Sequence, residues 1–320
     1  MKDNNRILTS ALKTLELEAN SLLSLKEHLD HEFEHIISTI HKMKGRLIIS
    51  GIGKSAIIAQ KIVATLNSTG TPAIYMHAAD AIHGDLGLVL KDDIVLIISK
   101  SGNSPEIKVL SSLVKSRGNL LIGMVGNVNS DLAAKSDHIL NTTVSEEACP
   151  NNLAPTSSTT AQMAMGDAVA VCLMELKEFG SEDFAKHHPG GSLGKKLFTR
   201  LSDILSDTSS TVATDTLVKD VILAISSSRQ GATTVVKNTE VLGIITDGDL
   251  RRMLESGKDI LSMNAEDIMT AAPKTLESSE LAAEAFRVME KHNITQIVVT
   301  DSGAYKGLVH LHDILKEGIY

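Results

Sequence analysis

The chain has 320 residues, of which 42% are hydrophobic and 22% charged, and its formal net charge is −8. This length accommodates two domains of ordinary size, each with its own core. The negative charge and the low aromatic content (three Tyr, five Phe and no Trp) argue against nucleic-acid binding, which needs a basic face or stacking platforms.

A helical N-terminal region precedes alternating strands and helices. Apolar residues at helical spacing between Ile7 and Ile40 predict one or two helices, which we assign to packing or to subunit contact. From Arg46, strand-like apolar runs alternate with helical stretches, and the runs cover 46–50, 73–77, 93–99, 120–125 and 138–144. This alternation predicts an α/β fold with a doubly wound parallel sheet of five strands, followed by a long helix over 159–178. In such a sheet, ligands bind beyond the carboxyl ends of the strands.

After about Arg200 the chain contains two similar segments. The recurring pairs, each 64 residues apart, are Asp203 with Asp267, Gly243 with Gly307, and Asp249 with Asp313. Two copies of this length predict a smaller paired α+β module rather than a solenoid, which needs three or more copies. We therefore predict one domain over 1–200 and repeats over 203–262 and 265–320, with a polar linker near 198–212.

Two turns that follow predicted strands have the composition of anion sites. Gly51-Ile-Gly53-Lys54-Ser55 follows the first strand, and its glycines let the backbone approach an anion at the start of a helix. This segment is not a Walker A loop. It matches only part of the dinucleotide-binding fingerprint, because the second strand ends at His77 rather than at an acidic residue. The run from Ser99 to Glu106 follows the third strand and gathers hydroxyls at a helix start, which suits a phosphate.

Candidate proton-transfer groups lie in further turns. Glu146 and Glu147 close the fifth strand ahead of a hydroxyl-rich run over 156–160, and His188 lies in a glycine-rich loop. Histidine titrates near neutral pH and often carries protons in catalysis. Glu106 is equally well explained as a charge that suits the helix dipole. The one GxSxG run, Gly190 to Gly194, follows no predicted strand and so is not a nucleophile elbow, and the sequence has no cysteine cluster. The inventory therefore favours proton transfer on a phosphorylated small molecule, as in aldose–ketose isomerisation.

Longer motifs are similar to those of one family. They are GIGKSAIIAQKIVATLNSTGTP, HAADAIHGDLGLV, ISKSGNSPEI, EEACPNNLAPTSSTTAQMAMGDAVA and HPGGSLGKKL, with TDGDLRR and HLHDIL in the repeats. Over about residues 5–318 the chain resembles D-arabinose-5-phosphate isomerases of the KpsF/GutQ type, which join a sugar isomerase (SIS) domain to two CBS repeats. The resemblance implies an intramolecular oxidoreductase that interconverts D-ribulose 5-phosphate and D-arabinose 5-phosphate through an enediol. This is the first committed step toward Kdo, a sugar of lipopolysaccharide.

The resemblance also implies the site residues. The catalytic set falls on Lys54, Glu106, Glu147 and His188, and substrate contacts fall on Gly70, Thr71, His77, His83, Ser99, Ser101, Ser104, Thr143, Val144 and Ser145. It further implies a homotetramer, no required cofactor, and an inhibitory zinc ion at His77. As working hypotheses, Glu147 is the base at C1 and C2, and His188 moves protons between O1 and O2 or helps to open the sugar ring. Lys54 stabilises developing negative charge, and Glu106 orients His188 or serves as a second acid/base.

One position departs from the family pattern. The family commonly has Asn in the middle of S-x-S-G, whereas this chain has Lys100. A lysine there either adds charge near the phosphate or points to solvent.

Several alternatives remain open at this stage. An isomerase of another sugar phosphate, a sugar-phosphate-sensing regulator and a nicotinamide-dependent oxidoreductase share parts of the pattern. Sensors of this fold usually carry an N-terminal DNA-binding domain, whereas only about 45 residues precede the first strand here and they show no helix-turn-helix signature. The CBS pair either buries surface in the oligomer or senses an adenine nucleotide or pathway metabolite, with Asp249 and Asp313 placed where a ribose could be held. The isomerase could serve lipopolysaccharide, capsule or a catabolic route.

Location is the last expectation. No run of about 18 apolar residues occurs, so no membrane span is predicted, and the acidic residues between Met1 and Asn20 do not fit a signal peptide. Cys149 and Cys172 are too few for a disulfide framework and fit a reducing compartment. We therefore expect a cytoplasmic protein with no membrane and no nucleic-acid partner.

Overall fold

The computed structural model describes residues 2–205, 209–255, 257 and 260–320. The chain divides into two compact units, Met1–His187 and His188–Tyr320. Residues 206–208 of the predicted linker, and 256, 258 and 259 of the first predicted repeat, lie outside the described residues.

The N-terminal region of the first unit forms two helices, α1 (Lys2–Ser24) and α2 (His31–His41), with a short 3₁₀ turn between them. Helix α2 begins after Asp30, whose carboxylate accepts hydrogen bonds from the backbone N–H groups of Glu32 and Phe33 and so caps the helix. The buried side of α2 joins the main core, whereas α1 carries large apolar side chains in solvent. Leu8, Leu12 and Leu15 are 65%, 67% and 67% exposed, so α1 presents an apolar face that the described part of the chain does not cover.

The predicted five-stranded parallel sheet is confirmed. Its strands are β1 (Leu47–Gly51), β2 (Ala73–His77), β3 (Ile94–Ser99), β4 (Leu120–Val125) and β5 (His138–Asn141). They are arranged in the order β2-β1-β3-β4-β5, and every neighbouring pair is parallel. Strand β5 is shorter than predicted because the chain leaves the sheet after Asn141, where the Thr143 hydroxyl contacts the Asn141 side chain and the Gly126 carbonyl.

Helices cover both faces of this sheet. They are α3 (Lys54–Ser68), α4 (Ala78–Ala81), α5 (Pro105–Ser116), α6 (Asp131–Lys135), α7 (Ser157–Leu176) and α8 (Ser181–His187). Successive strand residues point to opposite faces, so Ile49 packs in a cluster with Met165 of α7, whereas Ile48 packs in a second cluster with Leu110 of α5. Full burial of such a side chain stabilises the fold by roughly 1.5–3 kcal/mol. The two clusters therefore fix the sheet between its helical layers.

The second unit contains the two predicted repeats. Its helices are α9 (Ser192–Phe198), α10 (Leu201–Ile204), α11 (Val218–Ser228), α12 (Asp247–Glu255), α13 (Ala265–Ile268), α14 (Ala282–His292) and α15 (Leu311–Lys316). Its strands are β6 (Thr211–Val212), β7 (Ala232–Lys237), β8 (Glu240–Thr246), β9 (Thr270–Ala271), β10 (Thr275–Glu277), β11 (Gln296–Asp301) and β12 (Ala304–His310). Each repeat has one antiparallel strand pair, β7 with β8 and β11 with β12. The 64-residue period thus corresponds to a repeated arrangement of helices and strands.

The short helix that opens each repeat packs in the core of the other repeat. Leu201 of α10 lies in a buried cluster with Met289 and Ile314, whereas Ala265 of α13 lies in a cluster with Val221. The second unit accordingly begins at His188, ahead of the predicted boundary, because the segment from α9 onward packs with the second repeat. Lys195 of α9, for example, pairs with Glu317 at 2.8 Å.

Candidate active site

The carboxyl edge of the parallel sheet brings two of the predicted anion sites together. Strands β1 and β3 are neighbours, with Gly51 opposite Ile98, so the turns that follow them lie side by side. The chain leaves β1 and β3 toward opposite ends of the strand order, which makes this the switch point where ligands bind in open α/β sheets. Lys54 begins α3 at this edge, and its exposed side chain has no hydrogen-bond or ion-pair partner in the described part of the chain.

The turn after β3 is closed by hydrogen bonds of its own serines. The Ser99 hydroxyl accepts a hydrogen bond from the Gly102 N–H at 3.0 Å, and the Ser101 hydroxyl accepts one from the Asn103 N–H at 3.3 Å. Gly102 has φ +64°, and a Cβ there would lie 2.1 Å from the Ser130 hydroxyl oxygen, so the turn requires glycine.

Ser104 completes this turn as the residue that precedes α5. Its side chain makes no capping bond, and its hydroxyl is buried without a hydrogen-bond partner among the described residues. A buried hydroxyl without a partner is costly, and the first backbone N–H groups of any helix lack partners within that helix. The start of α5 therefore offers donors to a ligand.

Glu147 is buried and fully engaged. Its side chain is 0% exposed. Oxygen Oε2 accepts from the backbone N–H groups of Thr156 at 2.8 Å and Ser158 at 3.1 Å, and the Thr156 hydroxyl lies 3.2 Å away. Oxygen Oε1 accepts from the Ser158 hydroxyl at 2.5 Å. The hydroxyl-rich run at the start of α7 thus holds the carboxylate of Glu147.

The pairing of Lys100 with Glu147 was not predicted from the sequence, which left Lys100 either near the phosphate or in solvent. Its ammonium lies 2.6 Å from Oε1 of Glu147, although the two residues belong to turns after different strands. Burial alone would raise the pKa of Glu147, but Lys100, Ser158 and the donors at Thr156 outweigh burial and lower that pKa to about 2. Glu147 is therefore ionised at neutral pH. The sequence indicated that Lys100 belongs to this site only through its position between Ser99 and Ser101.

Other predicted residues lie around the same edge. Glu106 is half-buried in the first turn of α5. His77 ends β2 opposite Gly51, and its Nδ1 lies 3.7 Å from the Asp80 carboxylate. His83 is exposed in the turn after α4. The stretch Thr143, Val144 and Ser145 leads from β5 toward Glu147, with Val144 packed on the core and Ser145 exposed.

Gly70 and Thr71 lie at the opposite edge of the sheet. They precede β2, whereas the residues above follow their strands, so the parallel sheet separates them from the carboxyl edge within one chain. The ammonium of Lys177 donates to the Gly70 carbonyl at 2.8 Å and to the Thr71 hydroxyl at 2.7 Å. Burial lowers the pKa of Lys177. A single chain therefore does not bring these two residues to the turns after β1 and β3.

His188 belongs to the second compact unit, of which it is the first residue. It stands between α8 and α9, and its carbonyl accepts a hydrogen bond from the Gly191 N–H at 3.0 Å. The first unit thus contains three of the four predicted catalytic residues, and the role of His188 stays a prediction.

The zinc expectation at His77 has limited support from the donor set. Zinc sites use three or four protein ligands. His77 and Asp80 provide two, and no group of three or more His, Cys, Asp or Glu side chains suited to a metal occurs in the described ranges. One chain alone therefore does not build a zinc site there.

A cleft of about 710 Å³ lies within the second unit, between the two repeats. Five ionisable side chains line it: Asp247, Arg251, Arg252, Lys274 and His310. Asp249 does not offer a free carboxylate to a ribose, because it accepts from the Thr246 N–H at 2.8 Å and contacts the Thr270 hydroxyl and Arg252. Asp313 likewise accepts from the His310 N–H at 3.2 Å. Both recurring aspartates therefore cap helices.

Comparison with known proteins shows similarity over the whole chain. The SIS domain family matches residues 39–172, and the CBS domain family matches 201–256 and 265–320. The chain is 39% identical to arabinose 5-phosphate isomerase KdsD of Pseudomonas aeruginosa, over 100% of this chain and 99% of that protein. It is 42% identical to arabinose 5-phosphate isomerase KdsD of Francisella tularensis, over 97% and 96% of the two chains.

A solved structure agrees with these matches. An Escherichia coli CFT073 protein in complex with arabinose 5-phosphate superposes with a TM-score of 0.56 and 38% identity, covering 58% of this chain and 99% of that one. Across the described residues, no helix has the length and apolar character needed to cross a membrane. The full-length similarity, together with one SIS and two CBS matches, places this chain in the family of arabinose 5-phosphate isomerases.

Proposed function

We propose that this protein is an aldose–ketose isomerase that interconverts D-ribulose 5-phosphate and D-arabinose 5-phosphate. The observation that carries the proposal is the ionised carboxylate of Glu147 beside the hydroxyl-rich turn after β3, at the switch point of the sheet. A charged carboxylate can accept a proton from carbon, and a hydroxyl-rich helix start can hold the phosphate. Relatives named arabinose 5-phosphate isomerase along the whole chain support this substrate pair.

The phosphate is assigned to the turn from Ser99 to Ser104. Ser104 supports this assignment through its buried hydroxyl without a partner, and Ser101 through its exposed position. The start of α7 is less suitable, because the N–H groups of Thr156 and Ser158 already donate to Glu147. The sugar would then extend from α5 toward Glu147.

The reaction moves one proton between carbons and one between oxygens. Glu147 takes the proton from C2 of the aldose, the electron pair moves to O1, and an enediolate forms. Return of the proton to C1, with transfer of the O2 proton to O1, yields the ketose. Lys54 stabilises the negative charge on oxygen, and His188 carries the oxygen-bound proton.

The wider assignments are also proposals. We place the reaction at the start of Kdo synthesis for lipopolysaccharide, in the cytoplasm, where the free thiols of Cys149 and Cys172 remain reduced. We propose a homotetramer in which the exposed leucines of α1 contact another copy. No cofactor is proposed for turnover, and zinc inhibition at His77 would require ligands beyond Asp80.

The cleft between the CBS repeats is proposed to bind an anionic regulator, a nucleotide or a phosphorylated metabolite. Arg251, Arg252 and Lys274 outnumber the one acidic lining residue, Asp247, so the cleft carries net positive charge. Calorimetric titration with adenosine monophosphate and with sugar nucleotides tests this, and Arg251→Met should weaken whichever ligand binds.

The test of the main proposal is proton NMR of the purified full chain with D-ribulose 5-phosphate in D₂O. We expect arabinose 5-phosphate signals with deuterium at C2, since the proton taken by the base exchanges with solvent. Binding of pentose phosphate without conversion would instead indicate a sensor. Absence of both binding and conversion would point to a hexose or amino-sugar phosphate.

A further inference from the structure

Lys100 links two parts of the site that follow different strands. Its backbone lies within the turn after β3, between Ser99 and Ser101, and its ammonium reaches the buried carboxylate of Glu147 at 2.6 Å. The lysine side chain is 44% exposed, whereas that of Glu147 is 0% exposed. The cation can therefore move, but the carboxylate cannot follow it, because Ser158 and Thr156 hold both carboxylate oxygens.

We propose that Lys100 is a positioning residue shared between Glu147 and the phosphate of the substrate. In the free enzyme it pairs with Glu147, and a phosphate bound in the turn after β3 draws the ammonium away from the carboxylate. The loss of the cation leaves Oε1 open toward the sugar carbon. This inference rests on the proposed function, and specifically on a phosphate site in that turn.

The physical basis is competition between two anions for one cation. Lysine is a point charge on a flexible stem, so it can exchange partners at small geometric cost. When the ammonium leaves, burial still disfavours the charged carboxylate, so the pKa of Glu147 rises and the group becomes a stronger base. Lys13, Glu146 and Cys149 are the other ionisable side chains of the cleft that Glu147 lines.

Reciprocity gives a test that does not require turnover. If phosphate weakens the pairing of Lys100 with Glu147, then removal of the carboxylate charge must strengthen phosphate binding by the same factor. Glu147→Gln suits this purpose, because an amide oxygen can keep the three donors on Oε2 while the amide nitrogen, at the Oε1 position, does not accept from Lys100.

The experiment is a double-mutant cycle with inorganic phosphate as the ligand, measured by calorimetric titration above the second pKa of phosphate. The proteins are the full chain, Lys100→Met, Glu147→Gln and the double variant, with thermal melts to verify folding. Lys91→Met is the matched control, since Lys91 is an exposed lysine outside the site. We expect Glu147→Gln to tighten phosphate binding by on the order of tenfold when Lys100 is present and by less than about twofold in the Lys100→Met background.

An equal or larger tightening in the Lys100→Met background would overturn the inference, because it would indicate simple repulsion between Glu147 and the phosphate. Unchanged binding in Glu147→Gln would overturn it as well.

If Glu147→Gln fails to fold, the pH dependence of turnover in the Lys100→Met protein tests the proposal instead. Its kcat/KM relative to wild type should fall as the pH is lowered, because kcat/KM reports on the free enzyme, in which Lys100 lowers the pKa of Glu147. The ratio of kcat values should not change with pH, because Lys100 has left Glu147 in the substrate complex of the wild type. Lys100→Arg should restore the wild-type kcat/KM profile, whereas a pH-independent kcat/KM ratio contradicts the sharing. Normal turnover without coupling would reject only this inference, while loss of both phosphate binding and turnover in the wild type would reject the proposed function.

Discussion

Glu147→Gln tests whether the buried carboxylate stabilises the fold through its charge. The pKa of Glu147 is about 2 in the folded chain, against 4.5 for an unperturbed glutamate. The difference of about 2.5 pKa units corresponds to about 3–4 kcal/mol, at roughly 1.4 kcal/mol per unit. Because the folded-state pKa lies below the unfolded value, this stabilisation is fully present above pH 4.5 and is lost as the pH falls toward 2.

The assay is urea unfolding followed by far-ultraviolet circular dichroism, at neutral pH and at several values between pH 4.5 and 2. We expect Glu147→Gln to destabilise the first unit by about 3–4 kcal/mol at neutral pH, and the difference from wild type to shrink across the acid window. Hydrogen exchange at the Thr156 and Ser158 amides, which donate to Glu147, reports on the same interaction locally. Glu146→Gln, at the exposed neighbouring carboxylate, is the matched control and should change stability by less than about 0.5 kcal/mol.

A destabilisation that is equal at neutral and acid pH would refute the reasoning, because the effect would then come from packing rather than from charge. An unchanged stability at neutral pH would show that the contacts of Lys100 and Ser158 do not outweigh the cost of burying the carboxylate.

Three further predictions concern the turns and the N-terminal helix. Lys54→Met should lower kcat by on the order of 100-fold, because Lys54 stabilises the negative charge of the enediolate. Its melting curve should not change, since this exposed lysine has no partner in the described part of the chain. Lys91→Met is the control and should leave kcat unchanged. Gly102→Ala should destabilise the protein by about 1–3 kcal/mol in thermal melts, because its φ is +64° and a Cβ would clash with Ser130, and an unchanged melting temperature would argue against this turn geometry. Leu12→Lys should reduce the oligomer size in sedimentation velocity while the helical content is retained, and an unchanged sedimentation coefficient would exclude this face of α1 from the subunit contact.

The sheet was predictable because its signal is local. Each strand is a short apolar run followed by a glycine or polar turn, and the parallel order then places the turns after β1 and β3 together. The end of β5 was not predictable in the same way. Residues 142–144 are strand-like in composition, yet Thr143 contacts Asn141 and Gly126 instead of continuing the ladder.

The contacts of Glu147 could not be derived from the sequence. Lys100 and Glu147 stand 47 residues apart, and pattern analysis left Lys100 between phosphate and solvent. The sequence also does not show what the hydroxyls at the start of α7 bind, because a carboxylate and a phosphate accept hydrogen bonds from the same donors. Only the fold decides which anion receives them, and here Thr156 and Ser158 donate to the carboxylate.

The recurring aspartates of the repeats carried a signal that sequence reasoning passed over. Asp249 stands three residues after Thr246, which is the spacing at which an acidic side chain bonds back to the backbone N–H before a helix. Asp313 bears the same relation to His310. The recurrence of these aspartates every 64 residues therefore reflects their role in capping helices. The positive side chains that line the cleft are the better guide to the charge of its ligand.

The carboxylate of Glu147 occupies the start of α7, which leaves the start of α5 for the phosphate of the substrate in the proposed function. The first N–H groups of α7 are satisfied by Glu147, whereas α5 begins without a side-chain cap and with the Ser104 hydroxyl unpaired among the described residues. Under the proposed function, a pentose phosphate places its phosphate at α5, and its reacting carbons extend toward the carboxylate. Lys100 is the residue between these two positions, so a substrate that lacks the phosphate would leave the lysine on Glu147. On this reasoning D-arabinose should be a poor substrate chiefly through a low kcat, since the phosphate contributes to freeing the base as well as to binding.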